Sequence, residues 1–220
     1  MTPRYDSAED IRQRCTRMLD SACAGPGHNV LLLGPEPLKH PELPSVIAGV
    51  RSLGIERVAL RTDARGFAVG DNAAGACAAG VRHVHTVLLG PDPAIHDGLV
   101  SAPGAFVAAQ AGLRAFGSAA ARSGFAWALT GYVPLCRHTI VHLPETVATL
   151  AAAGAVLVIA EVVGTLEPES ARPWIDAAFG TGIVSGAWVH VSGWPVAAPT
   201  EWAETVSRSP LTLATSGGVS

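Results

Sequence analysis

Short apolar segments alternate with amphipathic ones along most of this chain, and this alternation limits the folds that it can adopt. Six apolar runs are typical of buried strands, at residues 29–33, 57–62, 83–89, 126–133, 155–163 and 184–191. The segments between them suit helices, at residues 7–22, 44–53, 71–79, 103–122, 143–153 and 170–179. Strands that alternate with helices predict an α/β fold with a parallel sheet and right-handed crossovers.

Two architectures fit this pattern, a curved partial barrel and an open doubly wound sheet. Both place the functional surface at the carboxyl ends of the strands. The strands and helices occupy about residues 1–195, and we expect residues 196–220 to form an irregular tail. The polar and charged residues that follow the strands are therefore the first candidates for a functional site.

Composition excludes several classes of protein. The chain has 220 residues, of which 49% are hydrophobic, enough to bury a sizeable core. Its net charge of −3 argues against a nucleic-acid partner, which a basic protein would favour. No apolar run reaches the roughly 18–20 residues of a membrane helix, and residues 1–6 lack the apolar core of a signal peptide. We expect a cytoplasmic protein that binds neither nucleic acid nor membrane.

Four segments, in order, are similar to motifs of the radical S-adenosylmethionine superfamily. Residues 31–43 read LLLGPEPLKHPEL and resemble the strand of that family that ends in GGEP. Residues 54–63 resemble its next strand, which ends in TNG, and residues 83–97 its fourth strand with the following HD pair. Residues 103–106 resemble the start of the next helix. The resemblance implies a truncated partial (β/α) barrel over residues 1–195 that lacks the family's first strand.

The chain departs from the family pattern at the positions that bind the cofactors. It has four cysteines, at positions 15, 23, 77 and 136, and no CxxxCxxC motif, so we expect no iron–sulfur cluster and no other metal. The glycine pair of GGEP is replaced by Gly34-Pro35, and the last two residues of TNG are Asp63 and Ala64. The resemblance therefore indicates a degenerate member of the family, in which S-adenosylmethionine binding stays open.

Five residues at or near strand ends are the candidate cofactor-binding residues: Gly34, Glu36, Asp63, His85 and Glu161. His83 and His85 lie two apart on a strand, so their side chains point to one face. With Asp63 or Glu161 they could ligate a metal, although a structural role is the stronger interpretation.

Two further groups of residues suggest chemistry more weakly. The neighbours His96 and Asp97 suggest a base and the acid that orients it. His138 and His142 have the spacing of a pair on one helix face. No catalytic residue is assigned from the sequence.

Three functions follow from these observations. The first is a non-catalytic accessory or partner subunit in a specialised pathway that makes a natural product or modifies a peptide. In this case the edge of the strand at residues 29–33 would pair with another chain, giving a homo- or hetero-oligomer with a pathway enzyme or a peptide. The second is an enzyme of non-radical mechanism that binds S-adenosylmethionine, a metal or another small molecule in the barrel. The third is a small-molecule carrier that uses the same pocket without turnover.

Overall fold

The computed structural model describes residues 5–21 and 29–193. Their helices are α1 (Ala8–Ser21), α2 (Leu43–Arg51), α3 (Asn72–Ala79), α4 (Pro93–Val100), α5 (Ala105–Arg122), α6 (Leu143–Ala152) and α7 (Pro168–Ser185). Their strands are β1 (Asn29–Leu32), β2 (Arg57–Thr62), β3 (Val81–Val87), β4 (Ala128–Leu135), β5 (Ala155–Val162) and β6 (Trp188–Ser192). Strands and helices alternate as the sequence predicts.

The six strands form one parallel sheet in the order β1-β2-β3-β4-β5-β6. Each new strand is added beside the previous one, so the chain never reverses its direction across the sheet. Right-handed crossovers in this order place the connecting helices on the same face. A doubly wound sheet needs a reversal of strand order. The structure is therefore an α/β partial barrel that does not close, and the predicted fold class is confirmed.

The hydrophobic core lies between the sheet and its helices. Alternate strand residues such as Val58, Leu60 and Val133 are fully buried there. The rings of Phe67 and Phe116 stack in the same core with centroids 4.8 Å apart. Burying each such side chain contributes about 1.5–3 kcal/mol, so packing of the helices on this face of the sheet stabilises the fold.

Two elements differ from the sequence prediction. Residues 93–100 lie outside the predicted helices but form α4, and Asp92 caps this helix by accepting a hydrogen bond from the Ile95 amide at 3.0 Å. The last strand begins at Trp188 because Val184 belongs to α7, which ends at Ser185 and is followed by Gly186 with a φ of +75°. The predicted strand over residues 184–191 therefore began four residues too early, since Val184 is β-branched but exposed on a helix.

The edges of the sheet are β1 and β6. Among the described residues, β1 pairs with β2 alone. The predicted tail at 196–220 lies outside the described residues, as does the domain boundary at residue 195. Within the part of the chain that the structure describes, no helix is both long and apolar enough to cross a membrane.

Candidate functional site

The face of the sheet opposite the helices, called here the inner face, carries a group of polar side chains. Their strands are β2 to β5, and alternation along each strand directs these residues away from the core. The group consists of Arg61, His83, His85, Thr130, Tyr132 and Glu161. Most of these residues lie in the second half of their strands, near the carboxyl ends where parallel sheets place their sites.

Arg61 reaches from β2 across β3 to the aromatic ring of Tyr132 on β4. Its guanidinium carbon lies 4.1 Å from the centre of that ring, which is a cation–π contact. The Nε atom of Arg61 is buried, and no described residue accepts a hydrogen bond from it. Within residues 5–21 and 29–193, no carboxylate pairs with this arginine. The inner face thus holds a positive charge that the described residues do not neutralise.

The hydroxyl end of the Tyr132 side chain contacts Glu161. The phenol donates a hydrogen bond to Oε2 of Glu161. Burial raises the pKa of Tyr132 to about 12, and the hydrogen bond and the charge of Glu161 act in the same direction. The phenol therefore stays protonated at neutral pH and remains a donor to the carboxylate.

His83 and His85 are neighbours on β3, as their spacing predicts. Their ring centroids are 4.5 Å apart, and Nε2 of His83 lies 2.8 Å from the Thr130 hydroxyl. His85 is only 4% exposed, and its Nδ1 has no hydrogen-bond partner among the described residues. Burial lowers the pKa of His83, and burial together with the nearby His83 and Arg61 lowers that of His85 to about 3. Both imidazoles are neutral at pH 7.

Glu36 is one of the predicted cofactor-binding residues. Both of its carboxylate oxygens accept hydrogen bonds from neighbouring residues of the chain. Oε1 accepts hydrogen bonds from the Thr62 hydroxyl at 2.6 Å and the Leu38 amide at 3.0 Å. Oε2 accepts one from the Asp63 amide at 2.9 Å. Burial is the largest influence on the carboxyl and raises its pKa. Glu36 therefore joins the turn after β1 to the turn after β2.

The turn after β2 contains Asp63 and Ala64, the two positions that differ from the TNG motif. Ala64 has a φ of +62°, the left-handed conformation that favours glycine. Asp63 accepts hydrogen bonds from the backbone and guanidinium of Arg65, the closest at 2.6 Å. Gly34, at the end of β1, is exposed, and an added Cβ would meet nothing within 4 Å.

The predicted residues therefore fall into two groups. Gly34, Glu36 and Asp63 lie at the carboxyl ends of β1 and β2, whereas His85 and Glu161 belong to the inner face. Cofactor binding by any of them stays a prediction.

The His96–Asp97 neighbours have separate partners. Nδ1 of His96 accepts a hydrogen bond from the Leu89 amide at 3.1 Å. The Asp97 carboxylate accepts bonds from the amides of Gly104 at 2.6 Å and Phe106 at 2.8 Å, at the start of α5. No hydrogen bond joins His96 to Asp97 among the described residues, so both side chains order the loops around α4.

The described residues do not fit the iron–sulfur cluster of the family that the sequence resembles. Cys15 lies in α1 and Cys77 in α3, both buried, and Cys136 follows β4; Cys23 is outside the described residues. In the described ranges no three His, Cys, Asp or Glu side chains lie close enough to hold a metal ion. The hypothetical metal sites at His83–His85 and at His138–His142 therefore lack a third ligand there.

Sequence reasoning missed Arg61, Thr130 and Tyr132. Their signal was present in the sequence, because Thr130 and Tyr132 lie two apart in an otherwise apolar strand and Arg61 interrupts another apolar strand. Strands of parallel sheets are usually apolar on both faces. Polar residues at alternate positions therefore mark a face that helices do not cover.

Comparison with known proteins finds solved structures that share this fold. Two similar solved structures are those of SuiB from Streptococcus suis, one bound to S-adenosylmethionine and one bound to the precursor peptide SuiA. Their TM-scores are 0.60 and 0.61, both at 10% identity, over 87% and 88% of this chain. The chain spans less than half of SuiB, 42% and 44% of its length. These scores show that this chain has the fold of the part of SuiB that it matches.

No family model matches this sequence, and no curated protein does. At 10% identity the likeness to SuiB shows the fold alone, and function has to be argued from the residues of this chain.

Proposed function

We propose that this chain is a non-catalytic partner subunit of a peptide-modification pathway, and that it binds an extended polypeptide segment along the free edge of β1. The observation that carries the proposal is the one-sided pairing of β1, which among the described residues has β2 as its sole neighbour. An edge strand presents unpaired N–H and C=O groups to another chain.

The side chains of β1 suit an added strand. Val30, Leu31 and Leu32 are half-buried, and Leu33 directly after them is 55% exposed. An extended peptide that pairs with β1 would gain backbone hydrogen bonds and would cover apolar side chains at alternate positions. A polypeptide ligand with β-branched or aromatic residues fits this edge best.

Two further observations support the proposal. One of the similar structures is that of SuiB bound to a precursor peptide, which makes a peptide the reasonable occupant to test. The described cysteines do not form the cluster site on which radical chemistry of this family depends, which favours binding over catalysis.

The test selects peptides from a random display library on the purified chain and measures their affinity by fluorescence anisotropy. Hydrogen exchange with and without the selected peptide then locates the binding site. We expect slower exchange of the β1 amides. Leu33→Lys places a charge beside the edge and should weaken binding about tenfold or more, which corresponds to about 1.4 kcal/mol.

The matched control is Val107→Lys on α5. Val107 is 58% exposed, close to the 55% of Leu33, but lies on a helix away from β1. This variant should bind like the wild type. Failure to select any peptide, protection of other strands, or full affinity in Leu33→Lys would each contradict the proposal.

A further inference from the structure

The inner face holds two opposite charges that do not pair with each other. Arg61 lies on one side of Tyr132, against its ring, and Glu161 lies at the phenol end. No ion pair joins Arg61 and Glu161, and neither has another charged partner among the described residues. Both side chains are partly exposed, so a ligand can reach them.

Tyr132 lies between the two charges. Its ring contacts the guanidinium of Arg61, and its hydroxyl donates a hydrogen bond to the carboxylate of Glu161. The buried Nε of Arg61 has lost water and has gained no acceptor from the described residues. A molecule that brings a negative group to Arg61 would supply the missing charge.

We infer that the inner face binds a small zwitterion of the α-amino acid class, with its carboxylate on Arg61 and its ammonium group on Glu161. The charges of such a ligand run opposite to those of the site, so both ends are attracted at once. Guanidinium and carboxylate form charge-assisted hydrogen bonds, which are the strong ones in proteins. The inference concerns a different surface from the β1 edge and does not depend on peptide binding there.

A second feature of the same face supports a bound ligand. In the part of the chain that the structure describes, Nδ1 of the buried His85 has no hydrogen-bond partner, although His85 lies beside Arg61 in the register of β2 and β3. Buried polar atoms without partners are rare in native structures and often mark a functional site.

Apolar side chains next to Tyr132 indicate what the ligand carries between its charged ends. Val87 of β3 and Ile159 of β5 are the register partners of Tyr132 on its two sides. A ligand seated on Arg61 and Glu161 would contact these residues with its own side chain. We therefore expect apolar amino acids to bind better than glycine or charged ones.

Isothermal titration with L-leucine, L-phenylalanine and L-methionine tests the inference on the full chain. For L-leucine, 3-methylbutylamine lacks the carboxylate and 4-methylpentanoate lacks the ammonium group. We expect at least one of the three amino acids to bind. For leucine we expect each analogue to bind about tenfold more weakly or worse, since each loses one charged contact. Absence of heat for all three amino acids at ~10 mM would overturn the inference.

Variants show whether the named residues form the site. Arg61→Leu and Glu161→Gln should each lower the affinity about tenfold, and Arg61→Lys, which keeps the charge, should retain more affinity than Arg61→Leu. Matched controls are Arg57→Leu, at the exposed start of the same strand, and Glu145→Gln, exposed on α6. Wild-type affinity in either site variant, or an equal loss in the controls, would show that the amino acid binds elsewhere.

Discussion

At the scale of single residues, His85 is a neutral base held inside the sheet. It is 4% exposed, and burial lowers its pKa from 6.5 to about 3, with smaller contributions from His83 and Arg61. In the unfolded chain the same imidazole takes up a proton near pH 6.5. Acid therefore favours the unfolded state, and the stability linked to His85 is lost as the pH falls from 6.5 towards 3.

His85→Gln should reduce the acid sensitivity of this protein. Between pH 7 and pH 5 the wild type should lose about 1–2 kcal/mol more of its free energy of unfolding than the variant, because each pKa unit corresponds to about 1.4 kcal/mol. Urea unfolding at the two pH values measures the difference. His138→Gln, at an exposed position, is the control and should keep the wild-type loss. Identical losses of unfolding free energy in His85→Gln and wild type would show that His85 does not cause the acid sensitivity.

Single residues also show where prediction from sequence works. Glu36 lies between two prolines directly after a predicted strand, so the sequence alone marks it as a candidate site residue. Its three hydrogen bonds, to Thr62, Leu38 and Asp63, are decided by how two turns approach each other. The sequence therefore identified an important side chain but not its partners.

At the scale of elements, α5 packs directly on the turn that follows β2. A Cβ at Gly112 would lie 1.9 Å from the carbonyl oxygen of Ala64, closer than atoms can approach. A glycine is required here because the helix touches the backbone of the turn rather than a side chain that could move.

Gly112→Ala should therefore destabilise the protein by about 1–3 kcal/mol through overpacking. The control is Gly75→Ala in α3, where an added Cβ would meet nothing within 4 Å. That change should stabilise the protein by about 0.5–1 kcal/mol, because alanine is the better helix former. Thermal unfolding of both variants gives the comparison, and a stable Gly112→Ala would mean that α5 does not press against this turn.

Prediction of elements from sequence succeeded where the local signals agreed. Gly80 and Gly154 follow α3 and α6 closely, as their sequence positions suggest. The helix α4 was not predicted, although aspartate followed by proline, as at Asp92 and Pro93, is a common start of a helix. The end of α7 was placed too early because Ile183 and Val184 have high strand propensity.

At the scale of the whole molecule, the strand order determines how well the backbone amides of each strand are protected from hydrogen exchange. The strands β2 to β5 have neighbours on both sides, whereas β1 and β6 have one each among the described residues. Backbone amides with two neighbouring strands open only when the surrounding sheet opens.

Hydrogen exchange of the isolated chain should consequently be slowest in β2 to β5 and faster in β1 and β6. Mass spectrometry of peptides that cover each strand measures this gradient. Exchange in β1 as slow as in β3 would show that another segment already covers its edge, and it would contradict a free edge at β1.

The amino-acid sequence by itself determined the alternation of strands and helices, because apolar run lengths and glycine stops act within a few residues. It also identified Glu161 and the paired imidazoles of His83 and His85. Only the tertiary structure decided that the strands follow chain order and that Arg61 crosses β3 to reach Tyr132. The physical reason is that contacts between strands depend on sheet order and register, which no local segment contains.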